Sequence, residues 1–340
     1  METTMPARVP FRDAIDLEPQ ALRNALGTTG KALDAADLTA LGTGTIGLIG
    51  IGASLYAGIA GAAQLRAQGR RAIALAGGEL YDAAVDAADA YIAVSASGRS
   101  VEPARATALR PRAVTFGIAQ AADTPMQDSV GQMIGTGSGI DSGPNTTSYM
   151  GSLLALALIA ERVGTPSGFD WTTIGDLLEA TRASTTTAVA RAGKLLAGKR
   201  ALDCVGANVA YGTAGYAALL LREAVRVPAQ NWDTLNFLHG PMEPNDPGTG
   251  VIVYGDGREV QLAADLAGFG IATVLITSND VAERDNLVVI RIPATSNGLA
   301  TAILAALPTQ LIIADLAEAA GLPVCVFRYR QTDTKLPEVA

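Results

Sequence analysis

The sequence predicts an α/β protein built from two units of similar order. Three observations carry that expectation. Short apolar runs of β character alternate with helical periods, first between residues 40 and 165 and again between 198 and 322. Strands separated by helices imply right-handed crossovers and a mainly parallel sheet. The 340 residues, 49% hydrophobic and only 5% aromatic, suffice for two domains of ordinary size with an aliphatic core.

The elements follow in order. A polar amphipathic helix is expected over 15–39, within an N-terminal helical segment 1–39. TIGLIGI (45–51) reads as a strand and SLYAGIAGAAQLRAQ as the helix after it. AIALA (72–76) is a strand, LYDAAVDAA (80–88) a short helix, YIAVSAS a strand and VEPARATAL a helix. RAVTFGI is a further strand, followed by QMIGTG. Helices are predicted from about 146 to 163 and from 171 to 197, the second inside a linker spanning 166–197. ALDCVG restarts the alternation, and YGTAGYAALLLREAV is its helix. GVIVYG, IATVLIT and NLVVIRI are strands. A long helix over 297–320 closes the second unit, with a kink expected at Pro308. Residues 323–340 form a tail.

Bulk properties exclude several classes. A net charge of −8 argues against a nucleic-acid surface or an anionic membrane as partner. It does not exclude an anionic small substrate, because a pocket can be locally positive. Cys204 and Cys325 lie in apolar runs and read as buried, inert thiols. A single histidine makes a zinc site unexpected. METTMPARVPFRD lacks the apolar centre of a signal peptide. The apolar stretch near 150–160 is cut short by Glu161 and Arg162. A soluble, cytoplasmic protein is the expectation.

The stretch Tyr91–Ser100 runs from strand character straight into Ser-Ala-Ser-Gly-Arg-Ser, just ahead of a helix. Unpaired N–H groups and the helix dipole favour an anion at such a place. Ser95, Ser97 and Ser100 can add hydroxyl donors, and Gly98 lets the backbone come close. On its own, Ser100 could equally be a plain N-cap with the other serines filling a turn. Two more loops share the position after a strand: Gly50-Ile51-Gly52-Ala53-Ser54, and Asp141-Ser142-Gly143-Pro144-Asn145-Thr146-Thr147-Ser148.

Together these three loops resemble the sugar isomerase (SIS) domain family. Over the second half, Tyr211 to Glu223 followed by Leu238-His239-Gly240-Pro241 is similar to the isomerase half of the glucosamine-6-phosphate synthases. Glu223 precedes His239 by sixteen residues, the spacing of that family. The resemblance covers about residues 40–340 and implies two tandem SIS domains, each a flavodoxin-like, mainly parallel sheet flanked by helices. It departs from the family at Ala53 (usually Thr), Arg99 (usually an acid), Ser148 and Leu220 (each usually Lys). No glutamine-hydrolysing domain is read before residue 40, so a complete amidotransferase is not expected.

The resemblance implies a substrate site of Gly52, Ala53, Ser54, Ser95, Ala96, Ser97, Arg99, Ser100, Asn145, Thr146 and Thr147. It implies Glu223 as the base of an aldose–ketose proton transfer and His239 as the ring-opening group. The tail closes over the sugar and presents Lys335. No metal and no cofactor are implied. His239 reaches the site from a neighbouring subunit, so the implied assembly is a homodimer. The activity implied is a metal-independent phosphosugar isomerase acting through an enediolate. A glucosamine-6-phosphate deaminase, a fructosamine-6-phosphate deglycase, a sulfosugar isomerase suggested by Arg99, and a non-catalytic sugar-phosphate sensor stay open beside it.

Overall fold

A computed structural model describes residues 8–82, 85–329 and 331–337. The first half contains α1 (Phe11–Ala35), β1 (Thr45–Gly50), α2 (Ala53–Ala67), β2 (Arg71–Ala76), β3 (Ala90–Val94), α3 (Val101–Ala108), β4 (Thr115–Ala119), β5 (Gln132–Gly135) and α4 (Thr147–Val163). Helix α5 (Ile174–Leu196) leads to β6 (Leu202–Gly206), α6 (Val209–Leu220), β7 (Ala229–Asp233), α7 (Thr234–Phe237), β8 (Gly250–Tyr254), α8 (Arg258–Gly268), β9 (Ala272–Thr277), β10 (Leu287–Arg291) and α9 (Gly298–Ala319).

These strands make two five-stranded sheets, and every pairing in both is parallel. The first runs β2-β1-β3-β4-β5 and the second β7-β6-β8-β9-β10. Counted from each sheet's own first strand, both orders are 2-1-3-4-5. That order reverses direction between the first and third strands, opening a crevice at their C-terminal ends.

Both faces of each sheet are covered, so the strands are apolar on both sides. Ile46 and Leu48 of β1, Ile92 of β3, Ile252 and Tyr254 of β8, and Val274 and Ile276 of β9 face one core that runs through both halves. The helices α1, α2, α4, α5, α6 and α9 fill it. The alternate residues face smaller outer cores: Ile49 and Tyr91 on the α3 side, Val251, Val253 and Leu275 on the α8 side. Helix α9 is apolar enough to cross a membrane, yet it is enclosed between its neighbours, with Leu299, Ile303, Leu307 and Ile312 all buried. It runs through Pro308 without a break in the helix.

Several sequence expectations are corrected here. The first helix spans 11–35 rather than 15–39. The described residues of 80–88 form no helix. One 3-10 turn, Gly77–Glu79, precedes them, and Leu80 is the buried anchor of the stretch. Its polar groups serve tertiary contacts instead: Asp82 pairs with Arg105, Asp86 with Arg110, and Asp89 accepts from the Thr45 N–H at 2.6 Å. Three elements had no strong sequence signal. Strand β7 (AQNWD) is a polar edge strand, α7 is one turn, and α8 sits on the outer face, where a narrow apolar stripe is enough.

A buried acid joins the helical layer to the loop before α4. Glu18 of α1 is fully enclosed, and neither carboxyl oxygen has a hydrogen-bond partner among the described residues. It sits against Gln310 of α9, whose Oε1 is likewise unpartnered. Gln310 Nε2 donates to Tyr216 Oη at 2.9 Å, and Tyr216 donates to the Asn145 carbonyl at 2.7 Å. Tyr216 also stacks on Tyr149, with ring centroids 3.6 Å apart. Burial drives the Glu18 pKa well above the ordinary 4.5, with Asp141 and Asp16 adding to the rise and Gln310 and Arg182 opposing it. A neutral Glu18 can donate to Gln310 Oε1 and so satisfy both orphaned groups.

The sign of the linkage follows. A carboxyl that stays protonated in the folded state costs nothing below pH 4.5. Above that it costs about 1.4 kcal/mol per pH unit, until its folded pKa is passed. Glu18→Gln therefore raises the melting temperature, and the gain widens from pH 5 to pH 8. A gain that is the same at both pH values would show that Glu18 is ionised.

Candidate functional site

The crevice of the first sheet lies between the ends of β1 and β3. After β1 the chain turns through Gly52 at φ +58°, ψ −133°, a conformation open to glycine. A Cβ on Gly50 would lie 2.6 Å from the backbone of Ser54 and Leu55, so this position also needs glycine. The Gly52 carbonyl accepts from the N–H groups of Leu55 and Tyr56. Ala53 opens α2, and Ser54 is buried in its first turn.

After β3 comes the serine loop. Gly98 sits at φ +61°, where any Cβ would meet Thr124 at 2.1 Å. The Gly98 N–H donates to the Ser95 carbonyl at 2.9 Å, closing a tight turn. The Ala96 carbonyl accepts from Gln120, and Ser97, exposed at the tip, accepts from the Arg99 N–H at 3.3 Å. Ser95 Oγ donates to Ser100 Oγ at 3.1 Å. Ser100 stands at the N-cap position of α3, but its side chain makes no capping bond. Instead it receives the Lys335 ammonium at 3.0 Å. With both lone pairs taken, the Ser100 hydroxyl has its own proton to give.

The tail reaches the serine loop by pairing as a strand. Ser100 and Lys335 form an antiparallel bridge, Val101 N–H donates to Thr334, and Leu336 N–H donates to Arg99 at 2.7 Å. Arg99 returns the contact through Nε to the Leu336 carbonyl at 2.9 Å. The arginine at a position usual for an acid thus holds the tail down. Burial is the main effect that lowers the Lys335 pKa; Glu102 opposes it, and the charges of Arg99 and Arg8 add to it.

The loop before α4 is organised by Asp141. Its Oδ1 accepts from the N–H of Ser142 and from both the N–H and the hydroxyl of Thr146, each at 2.8 Å. Its Oδ2 accepts from the N–H and hydroxyl of Ser148. Thr147 donates to the Ile140 carbonyl at 2.8 Å. The hydroxyls of Thr146 and Thr147 are therefore turned into their own loop, while Asn145 is held through its carbonyl by Tyr216.

Glu223 comes from the second half. Helix α6 starts at Val209, two residues before the expected Tyr211, and past Leu220 it widens into a π turn, Leu221–Val225, closed by Arg226 at φ +61°. Glu223 lies within that turn, half-buried and with no hydrogen-bond partner among the described residues. Burial pushes its pKa up to about 7, with Arg8 as the opposing influence. Leu219, one turn earlier, faces Gly52: its Cδ2 lies 3.9 Å from where a Gly52 Cβ would be. The crossing of α2 and α6 therefore brings the Glu223 turn beside the first crevice.

Arg8 joins these loops, and His239 lies apart from them. Arg8, for which nothing in the sequence pointed to the site, packs its Nη1 2.1 Å from where a Gly143 Cβ would be, next to Phe327 of the tail. The adjacent Val9 N–H donates to the Asp141 carbonyl. His239 is exposed, in the turn that follows α7, beside the outer core formed with α8. Its N–H donates to the Asn236 carbonyl at 3.0 Å, and within the chain it joins neither the serine loop nor Glu223.

No family model and no curated protein sequence matches the chain. Solved structures do share its fold. The C-terminal domain of glucosamine-fructose-6-phosphate aminotransferase from Francisella tularensis superposes with a TM-score of 0.80 at 17% identity, over 94% of this chain and 98% of that one. Tagatose-6-phosphate ketose/aldose isomerase from Escherichia coli gives 0.76 at 18%, covering 97% and 100%. Glucosamine-6-phosphate deaminase from Thermotoga maritima gives 0.72 at 16%, covering 93% and 98%.

Proposed function

We propose that the chain is an aldose–ketose isomerase for a sugar 6-phosphate or a similar anionic sugar. It is built of two tandem sugar isomerase domains, 40–165 and 198–322, joined by the linker 166–197, preceded by 1–39 and closed by the tail 323–340. One observation carries the reading. Glu223, half-buried, with a pKa of about 7 and no hydrogen-bond partner among the described residues, lies one turn past Leu219, which faces the Gly52 turn of the first crevice.

In this reading the anion sits against Gly52–Ser54 and Ser95–Ser100, receiving hydroxyls, N–H groups and the Lys335 charge. Asn145, Thr146 and Thr147 shape the wall around the sugar. Glu223 takes the C2 proton of the open-chain aldose and the C1 carbonyl becomes an enediolate oxygen; the C2 hydroxyl proton passes to O1, and Glu223, exchanging with solvent, returns a proton to C1 to leave the C2 carbonyl of the ketose. His239 opens the ring, and its exposure supports delivery from a second copy in a homodimer.

The test is NMR in D2O with a panel of aldose and ketose 6-phosphates. Deuterium entering C1 and C2 together with interconversion supports the reading. Ammonia released from glucosamine 6-phosphate would reassign the reaction to deamination, and binding without turnover across the panel would make the protein a sensor. Mixing Glu223→Gln and His239→Ala chains should restore activity if sites are shared between subunits; no recovery would place both groups in one chain. Lys335→Met should raise the Kd for inorganic phosphate about tenfold, as expected for one charge-assisted hydrogen bond. An unchanged Kd in calorimetry would remove Lys335 from the anion seat.

A further inference from the structure

The second sheet repeats the strand order of the first and so has a crevice of its own. After β6 the chain enters α6 through Asn208 at φ +55°, ψ −120°. This is the conformation of Gly52 at the corresponding place, held here by a residue that adopts it only under strain. Beside it lies a cavity of about 260 Å³, at the C-terminal ends of β6, β8 and β9, onto which the first turns of α6 and α9 also face. Val209, Ile276, Ile292 and Ala302 give it apolar walls. Thr213 also lines it: that residue is 1% exposed, and its hydroxyl has no partner among the described residues.

The charge in this crevice is opposite to that of the first. Where β3 leads into the serine loop, β8 leads into Gly255-Asp256-Gly257. Burial works against the Asp256 charge, but donors prevail and hold its carboxyl below the usual range. They are Thr277 Oγ1 at 2.5 Å and the Ser278 N–H and hydroxyl, each at 2.7 Å. Among the described residues, no lysine or arginine lines the cavity. A phosphate would meet a fixed carboxylate with no cation to offset it, at a cost that grows in a partly buried site.

We infer that this cavity is a second small-molecule site, specific for an uncharged, hydroxyl-bearing ring of the unphosphorylated-sugar class. The ring's C–H face lies on Val209, Ile276 and Ile292. Its hydroxyls pair with the Asn208 amide, the Thr213 hydroxyl and the lone pair that remains on Asp256 Oδ2.

The experiment is saturation-transfer NMR on the full chain with N-acetylglucosamine, glucose and galactose, with and without excess inorganic phosphate. Saturable binding of at least one sugar is expected, undiminished by phosphate and intact in Ser97→Ala. Ser278→Trp, which fills the mouth, should abolish it. Thr213→Val keeps the buried shape and removes an unpaired hydroxyl, so it should fold normally and weaken binding about threefold to tenfold. Absence of saturable binding by all three sugars at millimolar concentration would overturn the inference. So would displacement by phosphate or loss in Ser97→Ala, either of which puts the sugar in the first crevice. Adenosine binding where none of the sugars binds would overturn the assignment of ligand class.

Discussion

Replacing Glu223 by Gln is expected to lower turnover by about 10²- to 10⁴-fold, the usual loss when a general base is removed. The amide keeps the size of the side chain but cannot take a proton from carbon. The π turn that holds residue 223 is backbone-determined and survives the change, so phosphate affinity should stay within about a factor of two to three. In wild type the base must be ionised, and its pKa lies near 7. The kcat/KM profile should therefore climb through about pH 7 and level off above it. Arg8 opposes the rise of that pKa, so Arg8→Gln should move the ascending limb to higher pH. Exchange of the C2 proton in D2O reports the step directly. Full exchange by Glu223→Gln would mean that the base is another residue.

Gly212→Val should be among the most destabilising single changes in the chain. Where α2 crosses α6, a Cβ on Gly212 would lie 2.6 Å from the Tyr56 carbonyl and 2.7 Å from the backbone N of Ala60. Three residues on, a Cβ on Gly215 would meet the Tyr56 ring at 2.1 Å. Backbone cannot rotate away as a flexible side chain can, so the two helices must separate. We expect a loss of about 3 kcal/mol or more, at the upper end for overpacking, read as a melting point lower by roughly 5 °C or more. The same separation pulls the Gly52 turn, at the start of α2, from the Glu223 turn past the end of α6. Activity should thus fall even in the folded fraction. Gly27→Ala supplies the contrast: that glycine is inside α1 with nothing within 4 Å of an added Cβ. There alanine should stabilise by about 0.5–1 kcal/mol. Equal melting points for the two variants would refute the close crossing.

The α/β class and the doubling of the fold were legible from sequence because parallel strands buried on both faces must be apolar throughout. Runs such as TIGLIG and GVIVY admit no other placement. The serine loop was legible too, since hydroxyls and a glycine between a strand and a helix carry their chemistry locally. What stayed hidden depended on partners distant in the chain. The 80–88 segment has helical composition, yet its aspartates answer to Arg105, Arg110 and Thr45, and tertiary pairing overrode propensity. The strand β7 is polar because it lies at an edge. That Arg99 also holds the tail, through the Leu336 carbonyl, depends on a partner 237 residues away. The family resemblance singled out Glu223, but its elevated pKa arises from burial in a turn where α6 widens. Only packing sets how much water a carboxylate keeps, and so only the tertiary structure decided which of the chain's acids was held near neutrality beside the crevice.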